Sequence, residues 1–252
     1  MIFCFSGTGN SRYVAGLLSR RLGMEVVNIN HLTISLPATT GDELNVWVFP
    51  IHSWGLPRPV VEFIGKVRAS AASRHYMVCT CGDDIGLAHR QWRRLVESRG
   101  WKACSAYSVQ MPNTYVVFPG FDVDSGEVER SKLAAVPGRV DIIADRIVDG
   151  DMADDVAKGG FAWIKSKVVY PYFMRHMTSP KPFHVDTSKC ISCGRCRSVC
   201  PMANVSMSDD SHPRWGDDCV MCLGCYHVCP VHAVGYGSIT ARKGQYFCPE
   251  KS

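Results

Sequence analysis

The sequence predicts an α/β protein, a doubly wound parallel sheet joined to a second, smaller α+β domain. Two observations carry this expectation. Apolar, β-rich runs alternate with helical patterns through the first 150 residues, a pattern that places helices on both faces of a parallel sheet. Beyond residue 182 the alternation stops and a dense cysteine array is written twice.

The strand-like runs are residues 1–5, 25–29, 45–50, 75–80 and 105–111. Helical patterns at 10–22, 59–67 and 87–98 supply the crossovers, and Pro137 and Gly138 are expected to interrupt a last one at 131–148. Sheets of this class gather ligands beyond the carboxyl ends of their strands, so the segments that follow the strands are the first places to look for a site.

The first strand runs into Ser6-Gly7-Thr8-Gly9-Asn10-Ser11, immediately before a helix. Glycines let the backbone approach an anion, and the hydroxyls and Asn amide donate hydrogen bonds. The helix N-terminus adds unpaired N–H groups and a favourable dipole. This phosphate cradle lacks the Gly-Lys-Ser/Thr ending of a nucleotide P-loop, and Arg12 stands where a dinucleotide fingerprint has its third glycine. A nucleoside triphosphate is therefore not expected. Alone, such a turn is as often a plain strand-to-helix connection. After the third strand, however, comes His52-Ser53-Trp54-Gly55, and after the fourth Cys81-Gly82-Asp83-Asp84. Trp54 offers a flat apolar face for a flavin ring.

In this order and spacing, Ser-x-Thr-Gly-Asn-Ser, Ser-Trp-Gly and Cys-Gly-Asp resemble the three FMN-binding loops of flavodoxins. The resemblance implies that Ser6, Gly7, Thr8, Gly9, Asn10 and Ser11 hold the FMN phosphate. It also implies that Ser53, Trp54 and Gly55 flank the isoalloxazine, and that Cys81, Gly82 and Asp83 line its polar edge. Many flavodoxins carry a second aromatic residue after the third loop, where this chain has Ile85-Gly86. Three readings of the other ring face stand: open for electron exchange, covered by Met111-Pro112-Asn113-Thr114-Tyr115, or packed by Ile85 alone. His52 is read either as a proton donor to the flavin or as an ordinary loop histidine.

The cysteine array is C-x2-C-x2-C-x3-C-P, at Cys190, Cys193, Cys196 and Cys200 before Pro201, and again at Cys219, Cys222, Cys225 and Cys229 before Pro230. Zinc sites favour two separated Cys pairs, and a disulfide scaffold belongs to secreted chains. The spacing instead matches two [4Fe-4S] clusters, with three thiolates of each run on one cluster and the fourth on the other, as in two-cluster ferredoxins. The expected ligand sets are Cys190, Cys193, Cys196 and Cys229, and Cys219, Cys222, Cys225 and Cys200.

The formal net charge of +5 counts every cysteine as neutral, and thiolate-held clusters would offset much of it. No RNA-binding fingerprint or long Lys/Arg run points to nucleic acid. Cys4, Cys79 and Cys104 fall in apolar strand patterns and are expected to be small buried hydrophobes, whereas Cys248 is expected to be exposed and reactive in the tail. The start of the sequence has no charged n-region, long apolar core or cleavage site, so a reducing cytoplasm is expected. The domains are read as 1–150, a connecting segment 151–182, and 183–252. That segment mixes aromatic and basic residues and is broken by lysines and Pro171. It should not span a bilayer. It reads either as helical packing between the domains or as a peripheral membrane or partner contact.

Over its whole length the chain resembles the microbial flavodoxin/ferredoxin fusion family. The resemblance implies electron transfer through FMN and two [4Fe-4S] clusters, between donor and acceptor proteins the sequence does not name. A flavin-dependent reductase acting on NAD(P)H or an organic substrate is the alternative, with a redox-sensing regulator behind it. Whether the chain is an enzyme or a carrier, and its oligomeric state, stay open.

Overall fold

The computed structural model describes residues 1–35, 41 and 43–248, so residues 249–252 of the expected second domain lie outside the described residues. Five strands, β1 (Ile2–Cys4), β2 (Val26–Asn28), β3 (Leu44–Pro50), β4 (Arg74–Cys81) and β5 (Lys102–Gln110), form one sheet in the order β2-β1-β3-β4-β5. All neighbouring pairs are parallel. The order reverses between β1 and β3, the switch point at which a flavodoxin-like sheet opens a crevice.

Side chains alternate across this sheet as a pleat requires. Phe3, Phe5, Trp47, Phe49, Met77 and Cys79 face a core closed by α3 (Arg58–Lys66) and α4 (Ala88–Glu97), through Val60, Phe63, Ile64 and Trp92. Ile2, Cys4, Val46, Val48, Tyr76 and Val78 face the other way, against α1 (Asn10–Leu22) and α5 (Gly126–Val148). A short helix, α2 (His31–Ser35), follows β2. Cys4, Cys79 and Cys104 are buried in these cores, as expected of small apolar residues.

The last crossover corrects the sequence expectation. Pro137 and Gly138 do not interrupt it: α5 is a single helix that begins at Gly126, where the Ser125 hydroxyl accepts a hydrogen bond from Val128 N and Glu127 and Glu129 occupy the first turn. Proline removes one backbone donor, but Val136, Val140, Ile143 and Ile147 bury a continuous stripe that holds both halves of the helix on the sheet.

After α5, Asp155 lies along the free edge of β5: its N–H donates to Ala106 O and its carbonyl accepts from Ser108 N. The connecting segment then forms α6 (Ala162–Ile164), a π-helical turn (Lys165–Val169) and α7 (Tyr170–His176). A small α+β unit follows. In it β6 (Phe183–Val185) pairs antiparallel with β9 (Val234–Tyr236), and β7 (Val205–Met207) with β8 (Pro213–Trp215), around α8 (Arg195–Ser198) and α9 (Gly224–His227). The internal repeat is visible in the backbone. Ser192, Gly194 and Ala203 take positive φ (53°, 70° and 50°), and so do Met221, Leu223 and His232 (53°, 58° and 49°), each pair 29 residues apart.

The small unit sits on the carboxyl end of the sheet. Met202 and Val220 join the α3/α4 core, His31 N donates to Pro201 O at 2.9 Å, and Arg58 pairs with Asp218 at 2.5 Å.

Candidate functional site

The three loops that follow β1, β3 and β4 open onto one cavity of about 370 Å³. Ser6, Gly7, Thr8, Asn10 and Ser11 form one end, Ser53 and Trp54 a side, and Cys81, Gly82 and Asp83 another. Gly9 and Gly55 are the two expected loop residues that do not reach its wall. Gly9 turns the chain into α1 at φ 93° and is backed by Cys248, while Gly55 is covered by the Tyr170 ring.

Each loop is braced from below. Ser11 Oγ and Thr80 Oγ1 share a hydrogen bond of 2.8 Å, and Asn10 Nδ2 donates to Pro112 O at 3.0 Å. Ser53 and Trp54 both hold left-handed conformations, φ 46° and 65°, in a tight turn closed by reciprocal backbone bonds between His52 and Gly55. Such strain in a non-glycine pair persists only where the surroundings impose it. Ser166 imposes it, receiving Leu87 N and donating to Trp54 O, both at 2.8 Å, while the Lys165 ammonium lies 5.1 Å from the Trp54 ring centre. Under the third loop the Asn113 side chain fills the space where a Cβ on Gly82 would stand. Asn113 is in turn held by Asp124, which accepts from both its N–H and its amide. Desolvation would raise the Asp124 pKa, but its bonds from Lys132 and Asn113 outweigh that and hold it below the usual carboxylate range.

Two further walls were not anticipated. Lys165, Val169, Phe173 and Met177 of the connecting segment line the cavity, and Lys165 is fixed by Asp84 at 2.6 Å. Met221, Cys222 and Leu223 of the small unit close it from above. The ideal Cβ position at Gly7 lies 2.6 Å from Cys222 Cβ, so only glycine lets the loop approach the cysteine this closely. The aromatic and basic stripe of 151–182 was the available signal for the first wall; nothing in the spacing of the second array pointed to the other.

Ile85 is fully buried and lies outside the cavity wall, whereas Pro112, Asn113, Thr114 and Tyr115 line it. His52 lines it too, and burial pushes its pKa down to about 4, so it is neutral at pH 7. Cys248 corrects an expectation: it is 3 % exposed, because its N–H donates to Thr8 O at 2.8 Å and Tyr246 OH reaches Asn10 Oδ1 at 3.1 Å. Residues 246–248 are strapped across the back of the first loop.

The eight cysteines of the array line two small cavities. Cys190, Cys193, Cys196 and Cys229 share one, and Cys200, Cys219, Cys222 and Cys225 share the other. The first has no carboxylate or imidazole in its wall; the second has Asp218, which is engaged with Arg58. Among the described residues no three His, Cys, Asp or Glu side chains draw together tightly enough to hold a single metal ion. Four thiols line each cavity and no imidazole lines either, a donor set that suits iron-sulfur clusters, whose iron is held by thiolate sulfur. Several sulfurs accept hydrogen bonds: Cys200 from Asn204 N (3.3 Å), Cys219 from Met221 N (3.4 Å), Cys225 from Trp215 Nε1 (3.5 Å) and Cys229 from Ala233 N (3.2 Å). Donors to sulfur stabilise negative charge there and raise the potential of a bound cluster.

The family model of a 4Fe-4S dicluster domain matches residues 183–235. No curated protein sequence matches the chain. Solved structures similar in shape include the Trp repressor binding protein from Bacillus subtilis (12% identity, TM-score 0.35, covering 55% of this chain and 96% of that one). The NAD(P)H:quinone oxidoreductase from Methanothermobacter marburgensis is similar at 9% identity and TM-score 0.36, covering 56% and 94%. An FMN-dependent NADH-azoreductase from Bacillus anthracis str. Ames Ancestor, in complex with FMN, is similar at 9% identity and TM-score 0.35, covering 58% and 97%. The dicluster match and the sulfur cages together support a redox, electron-transfer role.

Proposed function

We propose that the chain is an electron-transfer flavo-iron-sulfur protein of the flavodoxin/ferredoxin fusion type, passing electrons between FMN and two [4Fe-4S] clusters and so linking a donor protein to an acceptor. One observation carries this reading: Cys222 belongs to the wall of both the large cavity and the second cage. Occupants of the two would meet across a single side chain, at a proximity no diffusional encounter has to supply. When bound, FMN exchanges two electrons, together or singly, and each cluster exchanges one.

In this reading residues 1–150 are the flavin unit, 151–182 a brace, and 183–252 the cluster unit. Ser6, Gly7, Thr8, Asn10 and Ser11 hold the phosphate at the positive end of α1, and Gly9 supplies the turn that aims their N–H groups. Trp54 and Ser53 flank the ring, with Gly55 admitting the Tyr170 ring behind them. Cys81, Gly82 and Asp83 line its polar edge, and Pro112 to Tyr115 close the far side. Cys190, Cys193, Cys196 and Cys229 hold one cluster; Cys219, Cys222, Cys225 and Cys200 hold the other.

A second reading, a reductase acting on NAD(P)H or an organic substrate, is favoured by Phe118 and Phe121, which line the cavity while remaining substantially exposed and could receive a planar substrate. Purification without oxygen followed by flavin, iron and sulfide analysis tests the main reading. About one FMN and about eight irons per chain are expected. Folded, cluster-loaded protein without flavin would overturn it, and rapid bleaching of the flavin by NAD(P)H alone would select the reductase.

A further inference from the structure

The connecting helix is apolar on both sides. From Ala162 to His176 the α6, π-helical and α7 segments run without a break, about 22 Å at 1.5 Å per residue. Ser166, Tyr170 and Phe173 turn inward, toward the Trp54 loop and the cavity. On the outside Phe161 (81 % exposed), Trp163 (63 %), Ile164 (48 %), Val168 (54 %) and Tyr172 (60 %) stand in solvent. Positions 161, 164, 168 and 172 follow the three- and four-residue spacing of a single helix stripe. A surface helix is ordinarily polar on this side.

Along this stretch of sequence the charge has one sign, and Asp84, the acid packed against its inner side, is engaged by Lys165. Residues 156–185 include five Lys or Arg and no Asp or Glu. Lys165 turns inward to Asp84, and none of Lys158, Lys167, Arg175 and Lys181 ion-pairs with an acid among the described residues. Exposed aromatic and aliphatic residues beside unpaired cations are the composition of a helix that lies in a membrane interface: rings settle at the headgroup level and cations on the phosphates. A second copy of the same surface would bring basic faces together and be repelled. No helix among the described residues is long and apolar enough to cross a membrane, so contact would be from one side only.

We infer that this face docks the protein on an anionic lipid surface. Phe161, Trp163, Ile164, Val168 and Tyr172 enter the interface, and Lys158, Lys167 and Arg175 contact the headgroups. The inner side of the same helix walls the large cavity, so docking brings that cavity to within about one helix diameter, ~10 Å, of the lipid.

The test is co-sedimentation of the cofactor-loaded protein with vesicles of equimolar phosphatidylcholine and phosphatidylglycerol, and with phosphatidylcholine alone. Binding to the anionic vesicles that salt weakens, with little to neutral ones, is expected. Lys167→Glu with Arg175→Glu should cut partitioning by more than about tenfold, since each basic residue near an anionic surface contributes roughly fivefold. Phe161→Ser with Trp163→Ser should cut it comparably. An unchanged visible spectrum of each variant reports an intact, loaded fold. Absence of binding at low salt, or variants that bind as wild type does, would overturn the proposal. So would a dimer in sedimentation velocity that Phe161→Ser with Trp163→Ser disrupts, because the face would then be an interface between copies of this chain.

Discussion

Gly82 has no room for a methyl group, because Asn113 occupies the space and the two hydrogen bonds it donates to Asp124 keep it there. Gly82→Ala should therefore displace the third loop and weaken FMN binding by about 10- to 100-fold, or ~1.4–2.7 kcal/mol. Fluorescence titration of flavin-free protein measures it, and an unaltered Kd contradicts the assigned role of that loop. His52 makes a prediction about pH. Its pKa is lowered from 6.5 to about 4, so between these values the unfolded chain binds a proton that the native chain does not. Its contribution to stability is thus intact above pH about 6.5 and is lost as pH falls toward about 4. His52→Gln should flatten the fall of Tm over that window, and an identical slope in the variant would refute the neutral histidine. The sequence revealed the loop glycines because close approach leaves a compositional trace. It did not reveal the burial of Cys248, because the bond from its N–H to Thr8 O joins opposite ends of the chain.

At the scale of elements, the crossover pattern was legible where apolar spacing was strong, and least legible where local chemistry opposed tertiary packing. α5 is the clearest case. A proline inside a helix removes a hydrogen bond and crowds the preceding turn, yet the buried stripe from Val136 to Ile147 keeps the helix whole. Pro137→Ala should restore the missing donor and stabilise the protein by roughly 1–3 kcal/mol. Thermal unfolding followed by near-UV circular dichroism measures this, and a lowered Tm would mean that the proline is required. The connecting segment left two readings open, and its inner and outer faces answer differently. Ser166 ties the helix to the strained Trp54 turn through the bond it donates to Trp54 O and to the start of α4 through the bond it accepts from Leu87 N, both of which Ser166→Ala removes. That change should destabilise by about 1–2 kcal/mol and weaken FMN binding, because half-buried partners lose their bonds. Flavin affinity and Tm equal to wild type would show that the turn is held without it.

Across the whole molecule, the alternation of strand and helix patterns and the repeated cysteine array made both folded units legible in the sequence, since a parallel sheet with its crossovers and a thiolate-held cluster each demand a regular spacing. Their mutual placement was not legible. It rests on side chains that share no motif: Met202 and Val220 in the α3/α4 core, Arg58 on Asp218, and Gly7 against Cys222. This arrangement makes the two cages unequal. Cys193, in the cage away from the large cavity, is exposed, whereas Cys222 lines the wall of the large cavity. Cys193→Ser and Cys222→Ser should each lose about half the iron, but only Cys222→Ser should also weaken flavin binding. Equal flavin loss in both would argue for general unfolding rather than a shared wall.

The central claim is that flavin and cluster meet across Cys222. Electron paramagnetic resonance of the partially reduced, fully loaded protein tests it most directly, by microwave power saturation of the flavin signal as the neighbouring cluster gains an electron. The account predicts fast-relaxing flavin spins that become slow-relaxing when Cys222→Ser removes that cluster. Flavin spins that saturate as readily beside a reduced cluster as without one would contradict it.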